Sequence, residues 1–167
     1  AFWQAKAGGY RLQLLSFGKG PEVENEKDVT NADGTKGKKK VKEVLVRWTF
    51  AVHRLSNGKR ITFIVEEGEK AGQTLPAEAD GLSSRTFSKG SKAGKWLRVI
   101  LDREIDWKAL VEAPAAEQAS MQAALMQEAI GKWALGTFGA AKNSTRVVLT
   151  ELAPLDTDED EEGDDDS

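Results

Sequence analysis

The stretch LDREIDWK sets Asp102, Glu104, Asp106 and Lys108 at alternate positions. Carboxylates beside a lysine are the residue types with which metal-dependent nucleases hold Mg²⁺ and a scissile phosphate. Here they follow directly on a helical segment, and their spacing matches no two-strand nuclease core, so they read as solvated helix-end residues. The glycine spacing of GSKAGKW falls one short of a phosphate loop, and no Ser or Thr follows its second lysine. A Ser/His/Asp triad would have to use His53, the only histidine, which lies in a strand-like segment. With one histidine and no cysteine the chain lacks the usual zinc ligands. No enzyme activity, metal or cofactor is expected.

The remaining chemistry is that of charge. From Asp156 to Ser167 there are nine acidic residues, with no base and no apolar side chain. Such a run buries too little surface to fold, so a disordered acidic tail is expected over 156–167. The whole chain has 24 Lys+Arg against 27 Asp+Glu, so the body over 1–155 holds 24 bases against 18 acids. A basic body with an anionic tail points toward nucleic acid, or toward a partner that competes with it. Two clusters stand out. Residues 36–47 contain Lys36, Lys38, Lys39, Lys40, Lys42 and Arg47 against Glu43 alone, and residues 85–103 contain Arg85, Lys89, Lys92, Lys95, Arg98 and Arg103 against Asp102 alone.

The elements that must position these groups follow from periodicity. GYRLQLLSF (9–17) reads as a strand, and residues 18–41 as a long polar loop. In VKEVLVRWTFAVHRL, Val44, Val46, Trp48, Phe50 and Val52 share one face. Asn57-Gly58 signals a hairpin turn, and KRITFIVEE reads as the returning strand. Residues 66–88 read as mostly loop. From Ser91 the period becomes helical, with Ala93, Trp96, Leu97, Ile100 and Leu101 on one side and Gly94 as a weak point. A second helix is expected from Pro114 to Ile130, ended by Gly131. KWALGTF and STRVVLTEL then read as two strands joined by GAAKN. Five strands with a helix between the third and fourth is the layout of an OB-fold, a small Greek-key barrel. The expected fold is therefore one mainly β, OB-fold-like domain with a helical insert.

In that fold, ligand crosses strands 2 and 3 between the loops joining strands 1–2 and 4–5. Those loops would hold Lys38, Lys39, Lys40 and Lys42, and Lys142 with Asn143. Single-stranded nucleic acid needs cations along a groove and flat side chains for base stacking, at about 1–3 kcal/mol per base. Trp48 and Trp96 fall on core faces. The expected binding residues are the loop lysines with Arg47, Arg60, Arg85, Lys89, Lys92, Lys95 and Arg98, and Phe87 and Phe138 as stacking rings. Thr49, His53, Thr62 and Ile64 share the outward face with Arg47 and Arg60.

Trp-x-Phe on a long strand, the glycine-turn return, FSKGSKAGKWLRVILDRE and IGKWALGTFGAAKNSTRVVLTELAPLD together resemble the OB-fold single-stranded-DNA-binding proteins of tailed bacteriophages and related replication genes. The likeness is a pattern of segments over residues 9–155 rather than a diagnostic motif. It implies a non-catalytic protein that coats single-stranded DNA during replication or recombination, in the cytoplasm of the host. It also implies that Asp158, Glu159, Asp160, Glu161, Glu162, Asp164, Asp165 and Asp166 compete with DNA and recruit replication or recombination proteins. The tails of that family usually finish in an aromatic or apolar tip, whereas this one finishes DDDS. The absence of cysteine fits a reducing compartment, and Ala1 is what removal of an initiator methionine would leave. No run spans a bilayer and AFWQAKAGG has no signal-peptide core, so no membrane partner is expected. A homo-oligomer is compatible with all of this. The rival reading is a phage virion assembly or structural β-barrel protein without nucleic-acid binding.

Overall fold

The computed structural model describes residues 3–142 and 144–155. Alternating apolar residues build the sheet. Leu12 and Leu14 on β1 (Gly8–Thr30) and Trp48, Phe50 and Val52 on β2 (Lys36–Arg54) turn inward and are fully buried. Two short strands, β3 (Thr62–Ile64) and β4 (Thr74–Pro76), pair only with each other. The main sheet is completed by β5 (Glu78–Ser83), β6 (Trp133–Ala140) and β7 (Val147–Ala153). It is antiparallel and five-stranded, in the order β5-β2-β1-β6-β7. Three helices, α1 (Lys92–Leu101), α2 (Trp107–Glu112) and α3 (Ala115–Ala129), lie between β5 and β6.

Helix α1 closes the core. Its apolar stripe buries Ala93, Trp96, Leu97, Ile100 and Leu101. Trp96 meets Trp48 edge-on with ring centroids 5.2 Å apart and Phe50 at 6.4 Å. The indole N–H of Trp48 donates to Ser83 Oγ at 2.8 Å, which satisfies the polar atom of a fully buried ring. Gly81 leaves room for Trp96, since a Cβ there would stand 2.5 Å from the Trp96 ring and 3.2 Å from Leu149. The sheet therefore curls until the outer strands β5 and β7 approach each other around Trp96. Among the described residues no ladder joins them, so the expected barrel is not closed. Among the described residues no helix is long and apolar enough to cross a membrane.

Several expected elements differ. Residues 18–41 are not a loop but a two-stranded ribbon, in which β1 and β2 stay paired from Glu22↔Val44 to Thr30↔Lys36. The apolar residues of this ribbon are few, so its alternation is carried by charge. The turn at Asn57-Gly58 forms, with Gly58 at φ 71° and Arg54 N–H bonded to the Lys59 carbonyl at 2.8 Å. Of the strand expected after it, Arg60 makes an isolated bridge with His53 and Thr62–Ile64 form β3, which pairs with β4 rather than returning along β2. The third strand of the sheet is instead β5, within the segment expected to be loop. Its inward residues Ala79, Gly81 and Ser83 are too small to announce a buried strand. Helix α2 was also unexpected, being only six residues long. The acidic run 156–167 and Asn143 lie outside the described residues.

Candidate nucleic-acid interface

The expected cations fall in three places rather than one. Lys38, Lys39, Lys40 and Lys42 lie on the ribbon. Cross-strand pairing sets Asp28 opposite Lys38, Glu26 opposite Lys40 and Glu24 opposite Lys42. Directly paired residues share a face, and so do residues two apart on a strand. One face of the ribbon thus carries an acidic column (Glu22, Glu24, Glu26, Asp28) beside a lysine column (Lys36, Lys38, Lys40, Lys42). Lys40 Nζ lies 3.7 Å from Glu24 and Lys42 Nζ 4.0 Å from Glu22, both exposed. On the other face, Lys39 stands opposite Lys27.

The second group surrounds α1. Ser91 caps this helix, its Oγ accepting from Gly94 N–H at 3.0 Å and donating to the Ser88 carbonyl at 3.1 Å. Because Trp96 and Leu97 point into the core, Lys92, Lys95 and Arg98 are left outward, with Arg85 and Lys89 exposed in the preceding loop. Lys92 Nζ lies 4.7 Å from the Trp96 ring centroid, and desolvation there lowers its pKa. Arg98 is engaged by Glu104, with N–O distances of 3.0 and 2.6 Å. That bond raises the Arg98 pKa and holds the Glu104 carboxyl below its ordinary value. Asp106 caps α2 by accepting from Ala109 N–H at 3.0 Å, and Asp102 caps α1 at its C-terminus. Of the LDREIDWK carboxylates, Asp102 thus finishes one helix and Asp106 begins another, while Glu104 pairs with Arg98. Among the described residues no group of three or more His, Cys, Asp or Glu could hold a metal ion.

The third group is on the outer face of the sheet. Arg47 and Thr49 both bond Asp80 of β5, the arginine at 2.8 Å, so this cation carries its own counterion. Arg60 donates to the Ala77 carbonyl at 3.1 and 3.3 Å. Lys142 is exposed in the loop between β6 and β7.

Both rings expected to stack on bases are core. Phe87 is 5% exposed and lies parallel to Trp48 at 6.1 Å, while Phe138 is 4% exposed and meets Tyr10 and Trp3 edge-on. Neighbouring cations suggested otherwise, but Phe138 shares the inward face of β6 with Ala134 and Gly136, and Phe87 enters beneath Trp48 from a loop. Among the described residues the exposed ring is Trp133, 38% accessible and not singled out from the sequence. Its signal was parity: with Ala134, Gly136 and Phe138 inward, Trp133, Leu135 and Thr137 must face out. Trp133 stands 4.6 Å from the His53 ring, edge to face. Arg11 pairs with His53 across β1–β2, and its Nε and Nη2 donate to the Leu55 carbonyl at 3.0 and 2.7 Å. Burial, then the Arg60 charge, lowers the His53 pKa, which favours a neutral imidazole behind the indole. The result is an exposed flat ring backed by His53, with the guanidinium of Arg11 in the same cavity lining and Arg60 on the far side of His53.

No family model, curated protein or solved structure matches this chain.

Proposed function

We propose that this chain is a non-catalytic, largely sequence-independent single-stranded-DNA-binding protein that acts in replication or recombination, of the bacteriophage type. The observation that carries the reading is the outer face around Trp133, where an exposed flat ring and the cation Arg11 line one cavity. Single strands are gripped by that combination. The strand order supports an OB-type arrangement: counted within the main sheet it runs 3-2-1-4-5, with the helices between the third and fourth strands. OB-folds are commonly only partly closed. The ribbon is then an enlarged strand 1–2 loop that presents its lysines beyond the sheet.

The acidic tail acts as a tethered polyanion that competes with DNA and engages replication or recombination proteins. Covalent linkage to the body sets a local concentration on the order of millimolar. The test is a titration with oligo-dT at two salt concentrations, read by tryptophan fluorescence. Quenching that favours single strands over duplex and weakens steeply with salt supports the reading. Equal, salt-insensitive binding of both, or none, refutes it. Removing 156–167 should tighten binding, and unchanged affinity would remove the tail from the mechanism.

A second reading is favoured by one observation. The ribbon projects from the sheet with few apolar residues and no third strand, as arms that engage other subunits in an assembly do. A virion assembly protein would show oligomerisation without affinity for oligo-dT.

A further inference from the structure

Beside Trp133 the surface opens into a cavity of about 540 Å³, lined by Arg11, Asn57, Val99, Asp102, Trp133 and Leu155 among others. That volume suits a small-molecule site of roughly 300–1,000 Å³. The walls divide by chemistry. Trp133, Val99 and Leu155 supply apolar surface, one wall of it flat. Arg11 supplies a cation whose guanidinium is aimed by its two bonds to the Leu55 carbonyl. Asn57 and Asp102 supply an amide and a carboxylate.

Asp102 is the one non-glycine residue at positive φ (54°) among the described residues, held there as the C-cap whose N–H donates to the Arg98 carbonyl at 3.0 Å. That conformation is ordinary at a helix C-terminus, and from it Asp102 lines the cavity. His53 packs edge-on against Trp133 with ring centroids 4.6 Å apart.

A ligand matching these walls is flat and heteroaromatic, anionic at one end and rich in polar edges at the other. We propose that the cavity binds a single nucleotide unit, with its base on Trp133, its phosphate at Arg11, and Asn57 and Asp102 on the polar edges of base and sugar. The site rests on the strand-binding reading above and deepens it. It lies at Trp133, so it takes one nucleotide of a strand held across that face.

The full chain is titrated with dAMP and followed by ¹H–¹⁵N NMR of its five tryptophan indoles, Trp133→Phe serving to assign one signal. The expected result is a saturable shift of the Trp133 indole. Trp133→Ala should weaken binding by about tenfold or more, as loss of a stacking ring does, while Trp133→Phe, which keeps a ring, retains most of the affinity. Deoxyadenosine, which lacks the phosphate, should bind more weakly than dAMP, and Arg11→Met should erase that difference. An unmoved Trp133 signal at millimolar dAMP overturns the site, as does wild-type affinity in a folded Trp133→Ala. A parallel oligo-dT titration separates the two claims. Oligonucleotide binding with a silent mononucleotide overturns the cavity alone; mononucleotide binding without oligonucleotide binding supports the cavity and overturns the strand-binding reading.

Discussion

Replacing Gly94 with alanine sets two opposed effects against each other at the start of α1. Intrinsic propensity favours alanine in a helix by about 1 kcal/mol, so the sequence alone suggests a gain. The geometry reverses it. A Cβ on Gly94 would overlap the carbonyl oxygen of Ser88, stand 2.7 Å from its carbonyl carbon and 3.1 Å from the Trp107 ring. Ser88 cannot simply withdraw, because Ser91 Oγ accepts its N–H at 2.9 Å and donates to its carbonyl at 3.1 Å. Relief of the overlap therefore breaks the Ser88–Ser91 clamp and disturbs the cap bond from Gly94 N–H. Overpacking of this kind costs about 1–3 kcal/mol, and a lost N-cap about 1 kcal/mol more. Set against the propensity gain, the net loss is about 1–3 kcal/mol. With a urea m-value of about 1–3 kcal/mol/M, the midpoint should fall by roughly 1 M. Gly90→Ala is the control, since its Cβ would meet nothing within 4 Å, and its unfolding free energy should stay within about 0.5 kcal/mol of wild type. A Gly94→Ala protein as stable as wild type, or more so, would refute the account of how α1 is seated. The placement of Val99 and Asp102 at the cavity would then lose its explanation too.

Ser83→Ala leaves the buried Trp48 N–H without an acceptor and should cost about 1–3 kcal/mol in a urea melt; an unchanged midpoint would mean that the bond contributes nothing. Phe87→Ala should cost about 3–5 kcal/mol while leaving oligo-dT affinity of the folded protein intact, and the opposite pattern would restore Phe87 as a stacking ring. Reversing Lys38 and Lys40 together to glutamate sets like charges opposite Asp28 and Glu26, at about 0.2–1 kcal/mol per pair. Amide exchange should quicken over residues 22–42 with the main unfolding midpoint unchanged, and a protected ribbon would count against the charge columns. Because the folded His53 pKa lies below 6.5, the unfolded chain takes up this proton first as pH falls. Its contribution is whole above pH 6.5 and declines as pH drops through the folded pKa, so His53→Gln should flatten that part of the stability profile; an identical profile would show that His53 is not the group responsible.

The parts of the fold legible in the sequence are those where one face is strongly apolar. Val44 to Val52 marked β2, Ala93 to Leu101 marked α1, and the last two strands were located to within a few residues. Elements were missed where burial is achieved by small residues. β5 hides Ala79, Gly81 and Ser83 beneath Trp96, and small side chains give no hydrophobic period. The candidate stacking rings were misplaced for another reason. Phe87 and Phe138 were judged by adjacent cations, but a ring's exposure is set by strand parity and by what packs above it. Parity applied to KWALGTF would have picked out Trp133, since Phe138 inward requires Trp133 outward.

Charge was misjudged for a different reason. A count along the chain finds six bases against one acid over residues 36–47, yet the counterions lie up to twenty residues earlier, on the paired strand. Only the register Glu24↔Lys42, Glu26↔Lys40 and Asp28↔Lys38 brings them together. Exposed pairs of this kind contribute little each, typically below about 1 kcal/mol. The ribbon's lysines are therefore held loosely and can exchange a carboxylate for a phosphate at small cost. The exchange is not free of consequence for measurement. Counterion release makes affinity fall with salt in proportion to the phosphates neutralised, but a lysine leaving Glu24 or Glu22 exposes a carboxylate that gathers cations in turn. If the chain binds single strands as proposed, the apparent slope should thus undercount the phosphates that the ribbon contacts. Neutralising Glu22 and Glu24 to glutamine should steepen it, whereas the same change made at Glu66 and Glu67, away from the ribbon, should not.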